Sequence, residues 1–171
     1  MVRDAAAGGI RMLGYISAVF GYQGPEEEKL VRPAVHEINA WVDRLLDLGV
    51  EAVTLSDLQG VAEEHDTRAL WEALLDMRKG RDRERLGYHP HHVSGEQAVA
   101  NSEAAWSAGI RRFDASLGGT GGCVTGAPGN QPTEALVRRF HARGTATGID
   151  EDRLGRLSLW VRENVYSAVA V

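Results

Sequence analysis

The stretch EAVTLSDLQGVAEEHDTRALWEALLDMRKG, residues 51–80, contains one complete strand-and-helix unit. Its first part, EAVTLSD, is an apolar run with β-branched members, which is typical of a buried strand. Beyond the turn, apolar residues recur at helical spacing, and a basic end closed by Gly80 is typical of a helix C-terminus. Residues 51–80 therefore predict a β-strand followed by an α-helix.

The same alternation of strand and helix continues on both sides of this unit. Each apolar run is followed by a turn marked by Gly or Asp and then by a segment with helical periodicity. Ser94 and Gln97 are placed as a possible capping box for one such helix, which Gly109 would end. We predict strands at 10–21, 51–57, 85–91 and 110–119, and helices at 26–48, 61–80, 94–109, about 132–142 and about 150–165.

Strands that alternate with helices predict an α/β fold with a parallel sheet and right-handed crossovers. The pattern fits an open doubly wound sheet or part of a (β/α) barrel, and it does not distinguish between them. A complete barrel usually has eight βα units in about 250 residues, whereas these 171 residues supply four units. No linker interrupts the pattern, so we expect a single domain over residues 1–171, and a barrel protein of this length would be half a barrel.

The composition narrows the class of function. The chain is 43% hydrophobic and 25% charged with a formal net charge of −5, so it is globular in character and has no basic patch for nucleic acid or anionic lipid. No apolar run approaches the roughly 20 residues of a membrane-spanning helix, and the start lacks the layout of a secretory signal. A single cysteine is compatible with a reducing compartment. We expect a cytoplasmic protein that acts on a small molecule.

Three of the six histidines lie within residues 89–92, directly after an apolar stretch. Residues two apart on a strand point to the same face, so His89 and His91 present two imidazoles to one side, and Pro90 stiffens the backbone between them. This is metal-ligand spacing at the C-terminal end of a strand, where parallel α/β folds have their sites. The alternative is a pair of partly buried histidines that are satisfied by hydrogen bonds. Because a His-x-His pattern is short and common, the pattern alone favours this alternative over a metal site.

A glycine-rich loop holds further candidates. Residues 118–130 contain six glycines and the only cysteine, Cys123, without a Walker-type or GxGxxG sequence. Cys123 in such a loop could be a movable catalytic acid or nucleophile, or an incidental thiol. At the end of the loop, Asn130 supplies an amide oxygen that suits a hard divalent ion, although it could equally be a turn residue.

Asp57 is the last residue of the strand predicted at 51–57, at the edge where a catalytic carboxylate would lie. An aspartate in this position can also cap the following helix or shape the turn. Position alone favours the second role.

Five motifs taken together resemble one enzyme family. In chain order they are GYISAVFG, TLSDLQGV, YHPHH with GEQAVANS, GIRRFDASLGGTGGC and GNQPTEALV. Their order and spacing resemble the second half of the hydroxymethylglutaryl-CoA lyase family, within the DRE-TIM metallolyases, from about Ile10 to Ile149. The resemblance implies a TIM-barrel fold, of which this chain would be the C-terminal half.

The resemblance also implies a site and a reaction. His89 and His91 resemble the family's two metal-binding histidines and Asn130 its amide ligand, for one divalent ion, Mg or Mn. Cys123 resembles the loop cysteine expected to protonate the acetyl-CoA enolate, Asp57 resembles the active-site aspartate, and His89 would also shuttle a proton. The implied reaction cleaves an acyl-CoA substrate, 3-hydroxy-3-methylglutaryl-CoA, to acetoacetate and acetyl-CoA, with the metal as Lewis acid.

Two other functions stay open. A related aldolase or acyl-transferring synthase of the same superfamily would share the site, and identification of the products separates it from a lyase. A non-catalytic fragment or assembly subunit would need a separate chain to supply the first four strands. No residue is recognisable from the sequence as a CoA contact.

The family's Asp-Arg-Glu signature lies on the first strand of its barrel, and this chain contains no such strand. In the family that strand supplies a carboxylate ligand to the metal and an arginine to the developing enolate. Such electrostatic contributions can each change the rate by about a hundredfold or more. We therefore expect the isolated chain to be weak or inactive until a second copy, or a chain supplying the missing half-barrel, completes it.

An open half-barrel exposes two sheet edges and an apolar inner face, and such surfaces favour association. We predict that the purified chain forms homo-oligomers or aggregates unless a partner covers these surfaces. Sedimentation velocity tests this expectation, and a single sharp monomer boundary contradicts it.

Overall fold

The computed structural model describes residues 2–24, 29–121 and 129–166. Within these ranges four strands form one sheet: β1 (Leu13–Ile16), β2 (Ala52–Asp57), β3 (Leu86–Pro90) and β4 (Arg112–Phe113). The helices are α1 (Val2–Ala7), α2 (Val35–Asp47), α3 (Glu64–Met77), α4 (Gly95–Ala108), α5 (Thr133–Ala142) and α6 (Glu151–Val161), which a π-helical turn (Arg162–Tyr166) extends. None of these helices is long and apolar enough to cross a membrane.

All four strands are parallel and lie in chain order, β1-β2-β3-β4. Each strand is connected to the next by a helix, which confirms the predicted α/β fold with a parallel sheet. A doubly wound sheet reverses its strand order at a switch point, and no reversal occurs among the described strands. The uninterrupted order is the order found in a (β/α) barrel.

The hydrophobic core lies between one face of the sheet and the helices α2, α3 and α4. Tyr88 of β3 is fully buried there, and the rings of Phe20 and Trp71 meet its ring edge-on at centroid distances of 6.0 and 5.9 Å. Aromatic pairs in this geometry add about 0.5–1.5 kcal/mol beyond their burial. Phe113 pairs in register with Tyr88 and packs against the same core. Because successive side chains on a strand point to opposite faces, the residues directly before and after Tyr88 and Phe113 face the other side of the sheet.

The opposite face of the sheet is open and more polar. One row of it, taken in register across the four strands, consists of Tyr15, Thr54, Gly87 and Arg112. Tyr15 is 51% exposed, and Arg112 is exposed as well. Glycine is needed in this row, because a Cβ atom on Gly87 would lie 2.8 Å from Oγ1 of Thr54. This open face is where polar groups of the sheet can meet a ligand.

The helix predicted at 26–48 begins later than expected. α2 starts at Val35, and the preceding loop instead pairs Val31 with Tyr22 in an antiparallel bridge, with reciprocal N–H···O bonds of 2.9 and 3.0 Å. Pro33 disfavours helical geometry at the residue before it. Residues 25–28 lie outside the described ranges. The helix prediction was therefore wrong for residues 29–34, because the bridge and the proline hold this part of the chain extended before α2.

Two predicted strands are shorter than expected. The strand predicted at 10–21 is confined to β1, and the positive φ of 59° at Ala18 breaks the extended backbone beyond it. The strand predicted at 110–119 is confined to β4, beyond which Leu117–Gly119 form a 3₁₀ turn. After β1 the apolar composition continues into the connecting loop at residues 18–20, whereas the strand pairing does not.

The ends of α4 follow the predicted signals. Oγ of Ser94 accepts a hydrogen bond from the N–H of Gln97 at 3.3 Å, and Gly109 ends the helix with a φ of 120°. The capping box is only half formed, because the Gln97 side chain donates to Asn101 at 3.1 Å instead. α4 thus starts directly after the histidines at 89–92, and its position fixes where their loop ends.

A buried arginine joins α2 to the end of α3. Arg78 is 1% exposed, and its Nη1 donates to Oδ1 of Asn39 at 2.8 Å and to Oδ1 of Asp43 at 2.7 Å. Its Nη2 donates to Oδ2 of Asp82 at 2.8 Å. A buried guanidinium is tolerated only where such partners compensate its charge. These contacts therefore tie α2 to α3 on the outer side of the core.

We predict that Arg78→Ala lowers the free energy of unfolding by about 3 kcal/mol, because it leaves a cavity and removes the shared partner of two carboxylates. Arg11→Ala is the matched control. Its guanidinium is 83% exposed and pairs with Glu51 at 3.3 Å, so its loss should cost less than about 0.5 kcal/mol. Urea unfolding followed by circular dichroism measures both, and equal losses contradict the role assigned to Arg78.

Candidate active site

Polar side chains gather at the C-terminal edge of the sheet, where parallel α/β folds carry their sites. His91 directly follows β3 and forms an antiparallel bridge with Asn130. The backbone N–H of His92 also donates to the carbonyl oxygen of Gly129 at 3.3 Å. The structure therefore brings the segment that carries Asn130 beside the end of β3, which carries His89 and His91.

The imidazoles of His89 and His91, which we call the histidine pair, face each other. Their Nε2 atoms are 3.0 Å apart, and their ring centroids are 4.8 Å apart. His91 is 5% exposed, whereas the side chain of His89 is 26% exposed. Two adjacent ligands of an octahedral ion with bonds of about 2.1 Å lie about 3.0 Å apart. The separation suits a shared cation as well as an N–H···N hydrogen bond.

Asp114 fixes the orientation of the His89 ring. Its Oδ2 accepts hydrogen bonds from Nδ1 of His89 at 3.2 Å and from the hydroxyl of Tyr15 at 2.8 Å. Burial disfavours the charged carboxylate, but these donors outweigh the burial and hold the pKa of Asp114 below its usual value. An ionised Asp114 keeps the His89 proton on Nδ1 and leaves the lone pair on Nε2, the atom that faces His91.

Asp114 and Tyr15 were not predicted as site residues. Asp114 lies at the end of a strand as Asp57 does, so the reasoning that singled out Asp57 could have found it. Tyr15 gave no signal, because its hydroxyl reaches Asp114 from the far edge of the sheet and only the strand order brings them together. Burial and the Asp114 carboxylate raise the pKa of Tyr15, which keeps its hydroxyl protonated as a donor.

Asn130 presents a buried acceptor that lacks a donor in the described part of the chain. Its Nδ2 donates to the carbonyl oxygen of Thr120 at 3.0 Å, whereas its Oδ1 has no hydrogen-bond partner among the described residues. Leaving a buried acceptor unpaired costs about 1–3 kcal/mol. A divalent cation would satisfy this oxygen, and with the two imidazole nitrogens it would have a mixed nitrogen and oxygen donor set. The amide oxygen suits Mg or Mn, whereas imidazole favours a first-row transition ion.

The protein donors identified here would fill only part of an octahedral shell. Within the described ranges, no cluster of three His, Cys, Asp or Glu side chains could hold a metal ion. Two histidines and an amide therefore leave three of six positions to other ligands. The string Asp82-Arg83-Glu84 does not supply a ligand, because it lies around the 3₁₀ turn before β3, at the opposite edge of the sheet.

Asp57 is fully buried at the end of β2 and shapes the turn that follows. Its carboxylate accepts hydrogen bonds from the N–H groups of Val61 at 3.1 Å and Ala62 at 2.9 Å. Burial raises the pKa of Asp57, and the backbone donors offset part of that rise. These contacts match the turn-shaping alternative, and a catalytic role for Asp57 stays a prediction.

Cys123 lies outside the described residues, together with the rest of residues 122–128. The described ends of this loop meet, because the N–H of Asn130 donates to the carbonyl oxygen of Gly121 at 3.4 Å. Gly119 and Gly121 adopt φ values of 68° and 83°, which glycine accommodates without strain. The role of Cys123 stays a prediction.

Several known proteins are similar to this chain. The hydroxymethylglutaryl-CoA lyase of Pseudomonas mevalonii is 31% identical over 170 residues, which are 98% of this chain and 54% of that protein. The (R)-citramalyl-CoA lyase of Chloroflexus aurantiacus is 33% identical over 162 residues, which are 93% of this chain and 47% of that protein. The chain thus spans about half the length of these relatives.

A solved structure agrees with the relatives. It is an HMG-CoA lyase from Acinetobacter baumannii in complex with coenzyme A and 3-methylmalate, and it superposes with a TM-score of 0.76 at 34% identity. The match covers 92% of this chain and 49% of that one. The four-stranded sheet therefore corresponds to part of a TIM barrel, as the sequence resemblance implied.

The family comparison covers most of the chain. The sequence model of the family described as HMGL-like matches residues 23–161, a range that includes both histidines of the pair and Asn130. The resemblance inferred from the five motifs is confirmed. By this match and by its relatives, the chain belongs to the HMGL-like family.

Proposed function

We propose that this chain carries the C-terminal half of the active site of a metal-dependent acyl-CoA lyase. The observation that best supports the proposal is the pair of Nε2 atoms of His89 and His91, which lie 3.0 Å apart. They lie beside the segment that carries Asn130, whose Oδ1 has no partner within the described part of the chain. The names of the relatives support cleavage of a carbon–carbon bond in an acyl-CoA. The proposed substrate is 3-hydroxy-3-methylglutaryl-CoA, and the products are acetoacetate and acetyl-CoA.

The proposed reaction breaks the bond between the acetyl-CoA portion and the carbon that bears the tertiary hydroxyl. A base removes the hydroxyl proton, the oxygen becomes the ketone of acetoacetate, and the electron pair of the broken bond passes to the acetyl-CoA carbon as an enolate. A proton donor then converts the enolate to acetyl-CoA. One proton is removed and one is supplied, so the reaction needs no oxidant or reductant.

The histidine pair and Asn130 would hold the divalent ion, which supplies Lewis-acid polarisation of the substrate oxygen. Asp114 keeps the proton of His89 on Nδ1, so that the Nε2 lone pair faces His91 and could bind the ion. The same nitrogen can take up the hydroxyl proton. Because one nitrogen cannot hold both at once, the ligand and proton-shuttle roles of His89 would have to alternate.

Cys123 is the proposed proton donor to the enolate. This assignment depends on the resemblance of GGTGGC to the family's loop cysteine. The hydrogen bond between Gly121 and Asn130 supports it, because the cysteine loop closes directly beside the proposed amide ligand. Asp57 is proposed as the active-site aspartate on the resemblance alone. The remaining carboxylate ligand and the arginine would come from the other half of the barrel.

Citramalyl-CoA is the second candidate substrate, because one relative carries that name at 33% identity. Both candidates have a tertiary hydroxyl on the carbon next to the one that leaves with acetyl-CoA. The same bond cleavage releases acetoacetate from one and pyruvate from the other. The released oxo acid therefore identifies the substrate.

We predict that the chain releases acetoacetate from 3-hydroxy-3-methylglutaryl-CoA with Mn or Mg, slowly when alone and faster when the N-terminal half of a full-length relative is added. Cys123→Ala should lower the rate by about a hundredfold, since the enolate loses its proton donor. A parallel assay with citramalyl-CoA follows pyruvate.

The controls for this assay are EDTA and the relative's half alone. Release that persists equally in EDTA contradicts metal dependence, and equal release by Cys123→Ala contradicts the role of the thiol. If the completed barrel releases neither oxo acid, the lyase proposal is wrong.

We predict that His91→Ala and Asn130→Ala each weaken Mn²⁺ binding by about tenfold or more, because each removes one of three protein ligands. His65→Ala is the matched control, because that imidazole is 83% exposed on α3. The electron paramagnetic resonance signal of free Mn²⁺ gives the affinities. Equal affinities in all three variants contradict the proposed metal site.

A further inference from the structure

Helix α4 carries two adjacent polar residues, Asn101 and Ser102, that are both fully buried. Buried polar groups need partners, and each of these side chains reaches a different loop. Nδ2 of Asn101 donates to the carbonyl oxygen of Ala62 at 2.7 Å, in the loop after β2. Oγ of Ser102 donates to Oε1 of Gln131 at 2.9 Å, in the segment after the glycine-rich loop.

Gln131 connects α4 to the end of β4. Its side chain is fully buried, and its Nε2 donates to the carbonyl oxygen of Asp114 at 2.6 Å while its Oε1 accepts from Ser102. Its backbone carbonyl accepts from the N–H of Ser116 at 3.1 Å. The residue is thereby held at three points, one on α4 and two in the segment directly after β4.

The neighbours of Gln131 are the residues that flank the histidine pair. Asn130 precedes it in the chain and is bridged to His91, and Asp114, whose carbonyl it binds, holds the ring of His89. A displacement of Gln131 would therefore move the amide on one side of the pair and the carboxylate on the other. Misplacement by about 1 Å is enough to impair a site.

We propose that Gln131 and Ser102 are positioning residues that fix Asn130 and Asp114 relative to the histidine pair. Neither side chain would touch the substrate or the ion. The part of this inference that concerns metal affinity rests on the proposed function, whereas the part that concerns the position of Asn130 does not.

The competing explanation is that the two side chains only stabilise the core. These explanations separate in a double variant, because replacing both partners of a buried hydrogen bond by apolar groups of similar shape can be nearly neutral for stability. Ser102→Ala with Gln131→Met removes both polar side chains of the bond to α4. The carbonyl oxygen of Asp114 loses its donor in this variant and in Gln131→Met alike, so the two variants differ only in the Ser102 hydroxyl. If the two side chains only stabilise the core, the double variant should regain both free energy of unfolding and metal affinity relative to Gln131→Met.

The experiment compares Gln131→Met, the double variant and Asn101→Ala with the unaltered chain. We expect Gln131→Met and the double variant to weaken Mn²⁺ binding by roughly 10–100-fold. Loss of residues that orient the metal ligands has an effect of this size in other metal sites. Asn101→Ala is the matched control, since it removes an equally buried side chain on the same helix that is tied to another loop. It should lower stability and leave Mn²⁺ affinity within about twofold.

A metal-free measurement makes the test independent of the proposed function. The side-chain amide of Asn130 donates to Thr120, and its ¹H–¹⁵N resonance reports where that side chain lies. We expect this resonance to shift in Gln131→Met and in the double variant but not in Asn101→Ala. Absence of the shift overturns the inference. If the unaltered chain fails to bind Mn²⁺ while the shift occurs, the metal site is wrong and the positioning role stands.

Discussion

The register in which β3 pairs with its neighbours is the constraint on which the candidate site depends. Tyr88 and Phe113 are opposite each other and face the helices, so the next residue on each strand, His89 and Asp114, faces the open side. A slip of one residue would send His89 into the core and Tyr88 out of it. Burial of the Tyr88 ring against Trp71 therefore fixes the orientation of the imidazole as firmly as any contact within the site.

Local patterns predicted the elements, and long-range pairing determined the site. Apolar runs and helical periodicity located four strands and their helices, because these signals belong to neighbouring residues. Helix α2 begins later than predicted, because a bridge between Tyr22 and Val31 holds the loop before it. The sequence did not predict Asp114 and Gln131 as site residues, because their partners lie in other parts of the chain and only the folded sheet brings them together.

The polar groups of the interior differ in how fully they are paired. Arg78 has carboxylate and amide partners around its terminal nitrogens, and Asn101 and Ser102 each have a partner on another element. Oδ1 of Asn130 is buried without one among the described residues, in the residue that bridges His91 of the histidine pair. Nε1 of Trp71 and Nε of Arg78 also lack a partner among the described residues, but each lies away from the histidine pair. An incomplete hydrogen-bond set indicates a binding site only where several such atoms converge.

The sequential strand order also bears on how the chain folds. Because every described strand pairs with the strand that follows it, each contact that builds the sheet spans a single crossover helix and its loops. Parallel pairing forms more slowly than a hairpin does, because a crossover of this kind must close before the strands can pair. Each βα unit can still order on its neighbour without waiting for a remote strand, and the core between sheet and helices can form before anything covers the open face.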